Sequence, residues 1–94
     1  MAILRLELEF MLPGCRSLKE KRSRLRSWSD QTGRQANIAI TESRWHDQHD
    51  RSAWTLVLAG SSRGVLESLA TKTVTLAETT VDGYLTDQHT DWLE

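Results

Sequence analysis

From Ala2 to Leu12 apolar and polar residues alternate. Leu4, Leu6, Leu8, Phe10 and Leu12 fall on one side and Arg5, Glu7 and Glu9 on the other, the period of a strand with one buried face. Pro13 and Gly14 end it, because proline cannot donate to a ladder and glycine accepts turn geometry. The period then lengthens to that of a helix: Leu18, Leu25 and Trp28 share an arc when residues are placed about 100° apart. Ser17 with Glu20 three residues later forms a capping box, so a helix is predicted from about Leu18 to Thr32, closed by Gly33. Ala36 to Glu42 is a short second strand with Ala36, Ile38 and Ile40 on one side. The polar run Ser43 to Ser52 is a loop that could extend the flanking strands into a hairpin. Ala53 to Ala59 is apolar on both faces and reads as a central strand.

Gly60, Ser61 and Ser62 break that strand, and a serine here caps a second helix running to about Thr79. Val65, Leu66, Leu69, Ala70, Val74, Leu76 and Ala77 recur in it at helical spacing, while the threonines at 71, 73 and 75 lower its intrinsic propensity. The chain then ends in a polar, alternating strand from Val81 or Tyr84 to Trp92, whose Asp82, Asp87 and Asp91 suit a sheet edge. Strand, helix, strand, strand, helix, strand with right-handed crossovers gives one fold: α+β, ferredoxin-like βαββαβ, a four-stranded antiparallel sheet with two helices on one face. At 94 residues this is a single domain, residues 1–94, with room for one core.

Charge changes the picture more than composition does. The formal net charge is −1, yet from Arg16 to Arg34 there are seven basic residues against two acids, a local charge of +5, and the remainder of the chain carries −6. Such an asymmetry favours oriented binding of a polyanion. On the first helix Lys19, Arg22 and Arg26 form a stripe three or four residues apart, with Arg16 and Arg34 near the helix ends and Arg24 a further candidate. Lys21 falls inside the apolar arc, between Leu25 and Trp28. Either its stem covers hydrophobic surface while the ammonium snorkels to water and joins the stripe, or the side chain is tucked in as packing. Arg16, Lys19, Lys21, Arg22, Arg24 and Arg26 are thus the candidate nucleic-acid contacts, against the plainer reading of a solvated face balancing an acidic remainder.

Other residues carry less chemistry. The strand face opposite the helices presents Arg5, Glu7, Glu9, Thr55, Val57 and Ala59. It lacks the aromatic residues on which RNA-recognition domains of this topology stack bases; Ile3, Ala39, Val57 and Ala59 suggest a contact between two copies instead. His46, Asp47, His49 and Asp50 resemble metal ligands without a second motif to fix a geometry, and no metal or other cofactor is inferred. Ser17, Ser61 and Ser62 are explained as caps. Cys15, the one cysteine, lies beside Arg16 and a helix start, where a lowered thiol pKa is conceivable. No arrangement points to an enzyme or a small-molecule substrate. Met1 opens directly into the first strand with no leader and no long apolar run, so a cytoplasmic protein with no membrane partner is expected.

Four patches resemble the YlxP-like family of small bacterial proteins of uncharacterised function: the first strand ending near Pro13, the Ser17-Leu18-Lys19-Glu20-Lys21-Arg22 segment, Asn37 to Glu42 with Arg51, and Ser61-Ser62-Arg63 with Trp92-Leu93. The resemblance covers essentially the whole chain. It departs at Ala36, where members usually carry an aromatic, and at His49, where they often carry tryptophan. It implies a ferredoxin-like fold and, through gene neighbours concerned with translation initiation and ribosome maturation, a role near RNA; it supplies no catalytic residues. The expectation is a homodimeric module that binds RNA or a ribosomal complex through its first helix. The alternative is a protein-interaction or scaffold module whose basic helix meets an acidic partner.

Overall fold

A computed structural model describes residues 1–94. The elements follow the order β1 (Ala2–Met11), α1 (Leu18–Gly33), β2 (Ile38–Arg44), β3 (Arg51–Gly60), α2 (Arg63–Thr80) and β4 (Tyr84–Trp92). All strand pairs are antiparallel and the sheet runs β2-β3-β1-β4. This is the ferredoxin-like arrangement, with β1 and β3 in the centre. The hairpin anticipated around residues 43–52 is present and longer at both ends: β2 continues to Arg44 and β3 starts at Arg51. In turn β2 starts at Ile38 rather than Ala36.

The alternation in β1 is strict. Ala2, Leu4, Leu6, Leu8 and Phe10 are all buried under the helices, and Leu12 completes the row beyond the strand. Leu56 and Leu58 of β3 and Ile38 of β2 continue this layer across the sheet. From above, α1 contributes Leu25 and Trp28, and α2 contributes Leu66 and Ala77. Trp28, fully buried, is the centre of the layer. Its ring meets Phe10 edge-on at 5.1 Å and Trp54 at 5.5 Å, arrangements favoured by the aromatic quadrupole. Its indole N–H donates to the Thr73 carbonyl of α2 at 3.1 Å, so one side chain ties α1 to the sheet and to the other helix. The opposite sheet face has no covering layer.

Both helices are capped by serine, as the sequence requires. Ser17 Oγ accepts from the Glu20 amide at 3.0 Å and Ser62 Oγ from the Val65 amide at 3.3 Å. Glu20 completes the box by accepting from the Arg16 amide at 3.0 Å, one residue ahead of the cap.

Two irregularities interrupt the ladders. The β2–β3 register shifts between Glu42 and Arg44, so Glu42 lies opposite Trp54 on the helix side while Arg44 lies opposite Ala53 on the open side. In β4 a shift against Glu9 and Phe10 leaves Thr86 unpaired.

At Gly83 one stretch of backbone closely approaches another. A Cβ there would sit 2.6 Å from the Met11 carbonyl oxygen and 2.7 Å from Leu12 Cδ2, and the carbonyl belongs to the sheet and cannot swing away. Gly83→Ala is expected to lower stability in urea denaturation by about 1–3 kcal/mol. Gly64→Ala, which meets open space inside α2, should raise it by up to about 1 kcal/mol.

Candidate nucleic-acid interface

Building α1 outward from its buried arc separates the basic residues into two groups. Lys21 belongs inside. It is 2% exposed, and its ammonium donates to the carbonyl oxygens of Trp45 (2.8 Å), Gln48 (2.7 Å) and Arg51 (3.0 Å). The Glu42 carboxylate pairs with it at 2.8 Å. Of the two alternatives left open by the sequence the inward one holds, but the ammonium is held by an ion pair and three hydrogen bonds rather than by packing alone. The charge is enclosed because a carboxylate and three loop carbonyls replace its water, the condition under which a buried ammonium is tolerated. Lys21 is therefore not an outward contact.

Arg24 is the second correction. Its guanidinium donates to the Pro13 carbonyl at 2.8 Å and the Asp82 carbonyl at 3.2 Å, and it meets Glu20 at 3.4 Å. It holds the turn after β1 against the turn before β4, with its side chain only 16% exposed.

The loop that Lys21 gathers has its own constraint. Trp45 adopts φ 62°, the left-handed region that few non-glycine residues visit. Arg51 lies 3.7 Å and Arg44 4.7 Å from the Trp45 ring centroid, and Arg44 also pairs with Glu9 across the open face. His46 and His49 turn to different carbonyls, those of Glu42 and Cys15, so the cluster does not converge on a common point. The Cys15 thiol is buried, and burial pushes its pKa up; the lowering suggested by its neighbours is overridden. Contact with the Cys15 thiol, followed by the Arg16 amide, holds the Glu20 carboxyl below the usual carboxylate range.

Sorting every basic side chain by its partners isolates the site. Arg5, Lys21, Arg24 and Arg44 are in ion pairs, and Arg51 and Arg63 lie over tryptophan rings. Arg16, Lys19, Arg22, Arg26, Arg34 and Lys72 have neither kind of partner, and all six are exposed. Five of these belong to α1 or its flanks. Lys72, from α2, was not among the sequence candidates: it lines a cleft with Arg34 where α2 lies beside the end of α1, a neighbourhood that only the tertiary fold creates. Beside Arg22 and Arg26 runs a shallow groove of about 280 Å³, floored by Leu25, Trp54 and the Lys21–Glu42 pair and edged by Ser29 and Asp30. The Trp54 indole N–H, shut off from solvent, has no acceptor within the protein.

Lys21→Met should show what the buried ammonium does. The substitution keeps the stem, leaves three carbonyls without their donor and leaves Glu42 with only the Ser52 hydroxyl, so a loss of about 3–5 kcal/mol is expected in urea denaturation. Adding Glu42→Met should recover part of it. A single-variant loss below about 1 kcal/mol would place the pair among ordinary surface bridges.

No helix is long and apolar enough to cross a membrane. No curated protein matches the chain. Solved structures that resemble it include a structural-genomics protein, YJCS, with a TM-score of 0.59 at 4% identity, covering 95% of this chain and 96% of that one. Another is SnoaB, a cofactor-independent oxygenase from Streptomyces nogalater, with a TM-score of 0.57 at 14% identity and coverage of 100% and 93%. At these identities the likeness establishes the shared fold and carries no activity across. Residues 3–90 match the family described as protein of unknown function DUF503, and with nearly its whole length matched the chain belongs to that family.

Proposed function

We propose that the protein is an RNA-binding module that holds a structured RNA or a ribonucleoprotein, the ribosome among them, by the outer flank of α1. The observation that carries this reading is the partition of its cations. Six basic side chains have no intramolecular partner, and Arg16, Lys19, Arg22, Arg26 and Arg34 among them follow one helix and its ends. From Lys19 to Arg26 the helix rises about 10 Å, so the stripe can meet successive phosphates of one backbone. Arginine and lysine contacts of this kind position a nucleic acid without reading its bases. Sequence preference would have to come from the groove beside Arg22 and Arg26 or from the shape of the RNA. In this reading the protein binds and performs no chemistry.

Measuring affinity for a structured RNA against salt tests it. With four to six phosphate contacts the log–log slope should lie at roughly −3 to −5. Changing Lys19, Arg22 and Arg26 together to glutamine should reduce the slope by about 2–3 and weaken binding at every RNA sequence alike. A flat salt dependence overturns the proposal. Recovery of the same partner before and after nuclease treatment would instead assign the stripe to an acidic protein.

The uncovered sheet face supports a second feature, a homodimer. Val57 is 37% exposed at its centre, and Ile3, Ala39 and Ala59 surround it by strand register. A second copy would cover this apolar strip while leaving α1 free on the far side of each protomer. Light scattering should give twice the 10.7 kDa chain mass, and Val57→Lys should return the monomer; a monomer at all concentrations removes the dimer.

A further inference from the structure

The helix layer does not cover the whole sheet. On β4 the positions that face the helices are Leu85, Gln88, Thr90 and Trp92, and the middle two are polar and exposed. Between this strand and α2 lies a groove of about 490 Å³, floored by Leu4 and Leu6 of the neighbouring strand. That volume lies within the usual range for small-ligand sites.

The groove's polar side chains are unused by the protein. Within α2 the hydroxyls of Thr73, Thr79 and Thr80 donate to carbonyls one turn back, the usual resort of threonine in a helix. Thr71 and Thr75, which line the groove, make no such bond, and neither do the side chains of Gln88 and Thr90 across from them. Two carboxylates, Glu67 and Glu78, stand on the same wall and neither is in an ion pair. Arg63, one turn before Glu67 and well placed to neutralise it, lies over the Trp92 ring at 4.8 Å instead. No basic side chain lines the groove.

We propose that this groove binds a linear aliphatic polyamine. Glu67 and Glu78 are eleven residues apart on one helix face, about 16 Å along the axis, which an extended spermine can span with an ammonium at each end. Its methylenes lie along the half-buried Ala70, Val74 and Trp92, and its inner ammonium groups donate to the Thr71 and Thr75 hydroxyls. An anion is repelled by both carboxylates, and a purely apolar ligand leaves four hydrogen-bonding side chains unanswered. The site uses α2 and β4 and none of the α1 cations, so it stands or falls separately from RNA binding.

Calorimetric titration of the full chain with spermine tests the assignment. Saturable binding is expected, weakened about tenfold or more by Glu67→Gln with Glu78→Gln and several-fold by Thr71→Val with Thr75→Val. Asp47→Asn with Asp50→Asn removes the same charge from the β2–β3 loop and should change the affinity by less than about twofold. Putrescine, too short to reach both carboxylates, should bind at least about tenfold more weakly than spermine. Heats that never saturate, equal weakening by the two charge-matched double variants, or equal affinity for putrescine would each overturn the proposal by reducing the attraction to diffuse acidity. All the substituted side chains are exposed, so the fold survives each variant.

Discussion

The enclosed Lys21 ammonium is the constraint on which the functional surface depends. A helix lying on a sheet can roll about its axis at modest cost when its apolar seam is narrow, and in α1 the seam is little more than Leu25 and Trp28. An ammonium that must reach a carboxylate and three carbonyls on the β2–β3 side removes that freedom. With Lys21 fixed inward, Lys19, Arg22 and Arg26 have only the outer flank left. Trp28 supplies the complementary restraint, since its indole must reach Thr73 while its ring stays against Phe10 and Trp54. Polar reach sets the roll and aromatic packing sets the depth.

The same logic divides the remaining cations. Those with intramolecular work lie at joints: Arg24 between two turns, Arg44 across the open face, Arg51 on the hairpin tip, Arg63 at the end of β4. Those without it lie along the α1 flank and at Lys72. A compensating solvated face would be expected to scatter its charges and to find partners among eleven acids elsewhere in the chain. The acids instead lie on β1, α2, β4 and the hairpin, and the α1 flank carries a local excess of positive charge. Long-range potential, rather than local pairing, is what this distribution favours.

Much of the fold was legible because each element states its own period. β1 alternates without exception, both helices begin at a serine, and Pro13, Gly14 and Gly60 fall at boundaries. The resemblance carried by the Ser17–Arg22 segment pointed to the same fold. Boundaries moved where pairing rather than propensity decided them, as in the hairpin strands: Arg44 pairs with Ala53, and Arg51 and Ser52 pair with Met11 and Phe10 of β1. Four of the six candidate cations, Arg16, Lys19, Arg22 and Arg26, were readable too, since their spacing is a local property of a helix and its start. Lys21 and Arg24 were misassigned for a common reason. Apart from Glu20, one turn before Arg24, their partners lie 11 to 58 residues away along the chain and are mostly backbone carbonyls, and no local pattern announces a carbonyl as a ligand. The groove beside β4 escaped notice because alternation marks polar residues as outward, whereas Gln88 and Thr90 face the helix layer past its edge.

The extra residue in β2 has a consequence of another kind. Glu42 and Arg44 are two apart, and in an unbroken strand they would share a face. The shift between them sends the acid to Lys21 and the base to Glu9 on the other side of the sheet. The strand thus stores its pattern in parity as well as in residue identity. Losing Ser43 would close the shift into regular alternation, with Glu42 still opposite Trp54 and Arg44 still opposite Ala53, whereas flattening the shift with Ser43 in place would bring Arg44 round toward the buried ammonium. One unpaired residue therefore lets an acid and a base that stand two apart in the chain serve opposite faces of the same strand.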